Sequence, residues 1–145
     1  MTPFSTRPPE TKVKPLFRGV DCVSVKVDDL SEAIGFYADR LGHELLWKTQ
    51  TSAGLGFPDG KAEMVLHTED RPPGVDLLVE SVADAISRFT AAGGRLKYGP
   101  IDIPVGVFAI VSDPWGNSLN ILDLSKGTFR VDSEKNVIGM NRPGT

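Results

Sequence analysis

An α+β fold, made of two βαβββ units wrapped as one curved mixed sheet around a cup-shaped cavity, is predicted by three features of the chain. An apolar run of period two is followed by a capped helix and then by strands separated by turns. The same order starts again after a short, proline-ended connector. Sliding the chain on itself by 52 residues places Val23 on Val75, Val27 on Val79, Ala33 on Ala85, Ile34 on Ile86 and Gly42 on Gly94. Neither copy can bury its apolar face alone, so the two must pair or pack.

The first 16 residues hold four prolines and several charges without periodicity, which predicts a mobile N-terminal arm. The single domain is expected over 17–125, with unit one at about 18–68 and unit two at about 74–125. Val23, Val25 and Val27 alternate with Cys22, Ser24 and Lys26, the pattern of a half-buried strand. Asp29 stands three residues before Glu32 as a helix cap. Leu30, Ala33, Ile34, Tyr37 and Leu41 follow at helical spacing, and Gly42 ends the helix. Strands are expected over Glu44–Thr49, Ala53–Phe57 and Ala62–His67, the last two joined by a turn at Pro58–Gly60. Thr68–Pro73 is the connector.

In unit two, Val75, Leu77 and Val79 form the strand and Ser81 with Asp84 repeats the cap. Val82, Ala85, Ile86 and Phe89 give a helix ending at Gly93 and Gly94. Strands follow at Arg95–Gly99, Val105–Ser112 and Ser118–Asp123, the last fed by the tight turn Asp113–Asn117. Pro104 and Gly106 predict a bend over the cavity mouth. Residues 126–145 are a C-terminal extension, with a hairpin around Asp132–Asn136.

A chain of 145 residues suits one domain with a substantial core, and its composition of 40% apolar and 24% charged residues is that of a globular fold. The net charge of −3 and the absence of a basic stripe exclude a nucleic-acid partner. The one cysteine, Cys22, leaves no internal disulfide and no zinc ribbon. No stretch approaches the roughly 18 to 20 apolar residues of a membrane span or the apolar run of a signal peptide, so no membrane partner and a cytoplasmic location are expected.

Three segments, VDDLSEAIGFYADRLG (27–42), VESVADAISRFTAAGG (79–94) and DPWGNSLNILD (113–123), occur in this duplicated order. Over about 18–125 the chain resembles the vicinal oxygen chelate superfamily, the glyoxalase/bleomycin resistance protein/dioxygenase family. That family spans lyases, epimerases, ring-cleaving dioxygenases, thiol transferases and metal-free drug-binding proteins, so its fold does not name an activity. The resemblance implies a U-shaped cup, with homodimerisation, and metal-using members place ligands on the first and last strands of each unit. The matching positions here are Cys22, Gly74, Glu63 and Asn120, of which Glu63 alone is of the usual type. Glycine brings no side chain and a neutral amide is a poor ligand, so neither metal nor other cofactor is expected. The metal-binding alternative is a rearranged set of Glu63, His67, Asp76 and Cys22.

Alternation along the strands puts Cys22, Ser24 and Lys26, then Glu63, Val65 and His67, then Asp76, Leu78 and Glu80, and finally Asn120 and Leu122 on the concave face. The competing reading turns this face to solvent, as on any one-sided sheet. For a small-molecule ligand the expected contacts are Cys22, Ser24, Glu63, Asp76 and Asn120, with Trp47 and Phe57 as an aromatic wall. Glu63 and His67 are the candidates for a catalytic base, the imidazole because it titrates near neutrality. Cys22 reads as a buried thiol, His43 as a turn residue and Trp115 as exposed. The function expected is metal-free sequestration of a small aromatic or cationic compound, of the bleomycin-resistance type and hence antibiotic resistance. The alternatives are a metal-dependent lyase or isomerase in the glyoxalase sense, and an inactive dimerising module.

Overall fold

The computed structural model describes residues 13–143. The arm expected over 1–16 falls mostly outside the described residues. Of its described end, Leu16 packs against the core of the second unit and the Lys14 carbonyl accepts from Arg88 Nη2 at 2.8 Å.

Eight strands form one mixed sheet: β1 (Gly19–Lys26), β2 (Leu45–Lys48), β3 (Ser52–Gly56), β4 (Glu63–His67), β5 (Gly74–Leu78), β6 (Arg95–Ile103), β7 (Gly106–Ser112) and β8 (Ser118–Leu122). Their spatial order is β2-β3-β4-β1-β5-β8-β7-β6. The order reads alike from either edge, as a duplicated unit requires. Parallel pairs β1–β4 and β5–β8 sit inside each unit, and the antiparallel pair β1–β5 joins the units at the centre of the sheet. Among the described residues no helix is long and apolar enough to cross a membrane.

The two helical segments differ. In unit one, α1 (Leu30–Ile34) starts on Asp29, whose carboxylate accepts from Glu32 N at 2.9 Å, and then widens into a π-helical segment, Gly35–Arg40. The continuous α-helix expected as far as Leu41 is therefore corrected, since the Leu41 N–H reaches back five residues to Phe36 O at 3.1 Å. In unit two, α2 (Val82–Ala91) is a regular helix capped by Ser81. Its Val82 and Ala85 join Val79, Ala109, Val111 and Ile121 in the buried core. The buried Asp123 carboxylate accepts from Val82 N at 2.9 Å, Val107 N at 3.1 Å and Ser125 Oγ at 2.7 Å, locking the helix start to β7.

β6 runs further than expected, to Ile103, so the bend at Pro104–Gly106 is the turn of the β6–β7 hairpin. Beyond the sheet, β9 (Thr128–Val131) and β10 (Val137–Asn141) pair with each other as a separate hairpin. Asp132 closes its turn by accepting from Glu134 N and Asn136 N, both at 2.9 Å. Asp113 closes the turn before β8 in the same way, accepting from Trp115 N at 2.9 Å and Asn117 N at 2.8 Å.

Candidate functional site

The site is centred on an irregularity in β1. Val20 lies opposite Leu77 and Cys22 opposite Asp76, so Asp21 is the extra residue of a β-bulge. A bulged residue escapes the strict alternation of a strand. Asp21 consequently faces the same cavity as its neighbour Cys22 and as Ser24.

Next to the bulge, Glu63, Cys22, Asp76 and Asn120 form a row across four strands. Gly74, the sequence-derived counterpart of Cys22, lies opposite Ser24, and Val23 lies opposite Val75, so the central pairing keeps the repeat offset. A Cβ on Gly74 would stand 3.1 Å from Asn120 Nδ2, so this position faces the same side as the row and brings no side chain to it. Asp76 accepts from Asn120 Nδ2 at 3.2 Å and from Cys22 Sγ at 3.4 Å. Glu63 Oε1 accepts from Trp47 Nε1 at 2.7 Å. The indole reaches Glu63 because Gly54 lies beneath it; a Cβ there would overlap both the indole and the Glu63 carboxylate.

These groups open on a cavity of about 370 Å³. Asp21, Glu63 and Asp76 give it an acidic side; Val65, Ile103, Val105 and Leu122 give it an apolar wall, with Trp47 and Phe129 at the edge. Arg71, from the connector between the units, supplies a cation to the rim. Its Nε is 3.0 Å from Glu69 and its Nη1 3.5 Å from Ser24 Oγ.

Crowding shifts the site's titrations. Burial, together with the charges of Glu63 and Asp76, pushes the Asp21 carboxyl up to about 6. Burial and the adjacent Asp76 and Asp21 raise the Cys22 thiol well above its ordinary value, so it stays protonated and is no nucleophile.

Of the residues expected to contact a ligand, the cavity brings together Cys22, Ser24, Trp47, Glu63 and Asp76. Asn120 stands behind, holding Asp76. Phe57 is corrected to a place outside the wall: it follows the end of β3, and its ring lies edge-on to His43 at 5.9 Å. His67 is corrected too. It is fully buried, is not among the cavity-lining residues, and among the described residues neither ring nitrogen has a hydrogen-bond partner. Burial lowers its pKa and the Arg71 charge adds to that, leaving a neutral packed imidazole. Lys26 is at the surface, paired with Asp70 at 3.4 Å, Glu80 is exposed, and Trp115 is 71% exposed.

Asp21, Arg71 and Phe129 are among the contributors that escaped the sequence reading. Asp21 carries no local mark, because alternation assigns it to the face opposite Cys22. Arg71 sits in a segment that reads as a connector. Phe129 did have a signal, since Phe129 and Val131 alternate with Thr128 and Arg130.

A divalent metal, which the resemblance makes an alternative, does not fit these donors as arranged. Among the described residues no group of three or more His, Cys, Asp or Glu side chains is placed to hold one. Glu63 is engaged by Trp47, and Asp76 by Cys22 and Asn120.

No curated protein sequence matches the chain significantly. Among solved structures, it is similar to methylmalonyl-CoA epimerase from Mycobacterium tuberculosis, with 21% identity and a TM-score of 0.62 over 79% of this chain and 93% of that one. A structure described as NAD-dependent benzaldehyde dehydrogenase from Legionella pneumophila is similar at 17% identity and a TM-score of 0.58, covering 71% and 97%. The Mn(II)-bound glyoxalase from Novosphingobium aromaticivorans gives 19% identity and a TM-score of 0.52, covering 74% of this chain and 39% of that one. At such identities the likeness is one of fold alone, and the names differ in chemistry. Residues 19–121 match the family model of the glyoxalase/bleomycin resistance protein/dioxygenase superfamily, and with the duplicated sheet and its cup this shows that the chain belongs to that superfamily.

Proposed function

We propose that the protein binds and sequesters a small compound with an aromatic or apolar body and a positive charge, without using a metal. The observation that carries this reading is the acidic side of the cup, where Asp21 is driven up to about 6 by burial and by Glu63 and Asp76. A bound ammonium would relieve that repulsion, while the apolar wall and Trp47 would take the body of the ligand. Ionised Asp21 is the binding form, so affinity for a cation rises as pH increases through about 6 and binding below that pH releases a proton.

Isothermal titration calorimetry with phenethylamine, phenethyl alcohol and 3-phenylpropionate tests it. The amine is expected to bind best, and more tightly at pH 7.5 than at pH 5. Equal binding of all three, or preference for the carboxylate, overturns the proposal. The alternative, a metal-dependent lyase or isomerase, requires Glu63 and Asp76 first to leave their present partners. Stoichiometric divalent metal in purified protein, with hemithioacetal turnover lost on chelation, would favour it.

A further inference from the structure

We infer that the C-terminal hairpin is part of the ligand site and that Phe129 is the residue that sets which ring the cup admits. The family match ends at residue 121, and β9 and β10 belong to neither repeated unit. Even so, Gly127, Thr128, Phe129 and Val131 line the cavity.

The seat of the hairpin is small but specific. Lys48 N at the end of β2 donates to Lys135 O at 2.8 Å, in a single bridge to the sheet at Lys48–Asn136. At its start, Gly127 has a φ of +114°, and a Cβ there would overlap the Asn141 carbonyl. Residue 127 is therefore restricted to glycine, which fixes the angle at which Phe129 arrives.

Phe129 packs on Trp47 with ring centroids 4.7 Å apart and planes inclined at 49°. The other constraints on that indole are Gly54 below it and its hydrogen bond to Glu63. Phe129 thus holds the aromatic edge of the cup and, through Trp47, the position of an acidic group. A ligand ring placed against this edge meets both residues, whereas an aliphatic ligand of the same charge depends mainly on the carboxylates. This assignment of ring selectivity rests on the amine-binding reading above.

The test uses the full chain carrying Trp115→Phe, so that Trp47 is the one fluorescent indole. Phe129→Ala is expected to raise acrylamide quenching of Trp47 at least twofold, and Phe129→Leu, which keeps bulk but not the ring, to leave it near the parent value. In calorimetry both variants are expected to weaken phenethylamine by about 3- to 10-fold, the range of an aromatic pair, while changing n-butylamine less than about twofold on the same scale. Unchanged quenching in Phe129→Ala overturns the inference, as does an equal loss of both amines in Phe129→Leu. If the parent protein binds neither amine, the amine reading fails, and the quenching result alone decides whether Phe129 closes the cup.

Discussion

The first and second units share a strand order, yet they use it differently. Unit two has a regular helix whose Val82 and Ala85 are buried, and Asp123 ties that helix to β7. Unit one has a short α1 running into a π-helical segment, neither burying a residue fully, with Phe36 and Leu41 exposed. The polar side of the cup comes mostly from unit one, through Asp21, Cys22, Ser24, Trp47 and Glu63; unit two adds Asp76 and the apolar Ile103, Val105 and Leu122. Both units bury apolar strand residues, Ala53, Leu55 and Leu66 in unit one and Ala109, Val111 and Ile121 in unit two, but only unit two packs a helix into its core, and unit one carries two of the three crowded carboxylates. Repulsion of this kind lowers stability, and it is tolerated where a neighbouring unit supplies a well-packed core.

The strongest way to break this contrast is Asp123→Ala. It leaves several buried donors of unit two without an acceptor and is expected to cost about 2 to 4 kcal/mol in urea unfolding. Burial alone would raise the Asp123 pKa, but its bonds to Ser125, Val82 and Val107 reverse this and lower it. Its contribution is therefore present above the ordinary carboxylate pKa and is lost as pH falls through the lowered value, so the variant should show a shallower loss of stability in acid. Ile121→Ala, in the core of unit two, should cost about 2 to 4 kcal/mol, whereas Phe36→Ala in unit one should cost less than about 1 kcal/mol. Similar losses from the two would show that the helical segment of unit one is packed as firmly as the core of unit two.

Asp21→Asn sharpens the contrast from the other side. The folded pKa of about 6 lies above the ordinary value of 3.8, so the native state holds the extra proton between them and stability falls as pH rises through that window. Replacement by Asn should remove that slope and raise stability at pH 8 by on the order of 1 kcal/mol, the shift being discounted for solvent screening. Thermal melts at pH 4, 6 and 8 check it; a variant less stable than the parent at pH 8 would contradict a destabilising Asp21. The smallest effect concerns Cys22. Its buried, protonated thiol should not react with Ellman's reagent in the native protein at pH 8 and should react fully in urea.

Sequence legibility followed the range of the interactions. The strand around Val23, Val25 and Val27 was readable from period two, and the caps at Asp29 and Ser81 from their three-residue spacing, because each depends on a few consecutive residues. Ser24, Glu63 and Asp76 were readable as cavity residues because they keep their strands' alternation. Gly74 was readable as the counterpart of Cys22 because the central pairing of β1 with β5, with Val23 opposite Val75, keeps the 52-residue offset. Phe57 was misplaced because a residue just past a strand end no longer follows the pleat. The π-helical stretch after Ile34 escaped because its apolar spacing fits an α-helix equally well.

What the sequence by itself determined was the duplicated order of elements, the superfamily it resembles and the acidic, partly aromatic character of the concave face. Only the tertiary structure decided that Asp21 turns into the cup, that Asp76 bonds to both Cys22 and Asn120, and that Phe129 reaches back to Trp47. Local pattern records which face of an element is apolar. The bulge in β1, the register between strands 41 to 54 residues apart and the seating of the β9–β10 hairpin against β2 arise when distant segments meet, and no window of consecutive residues contains them.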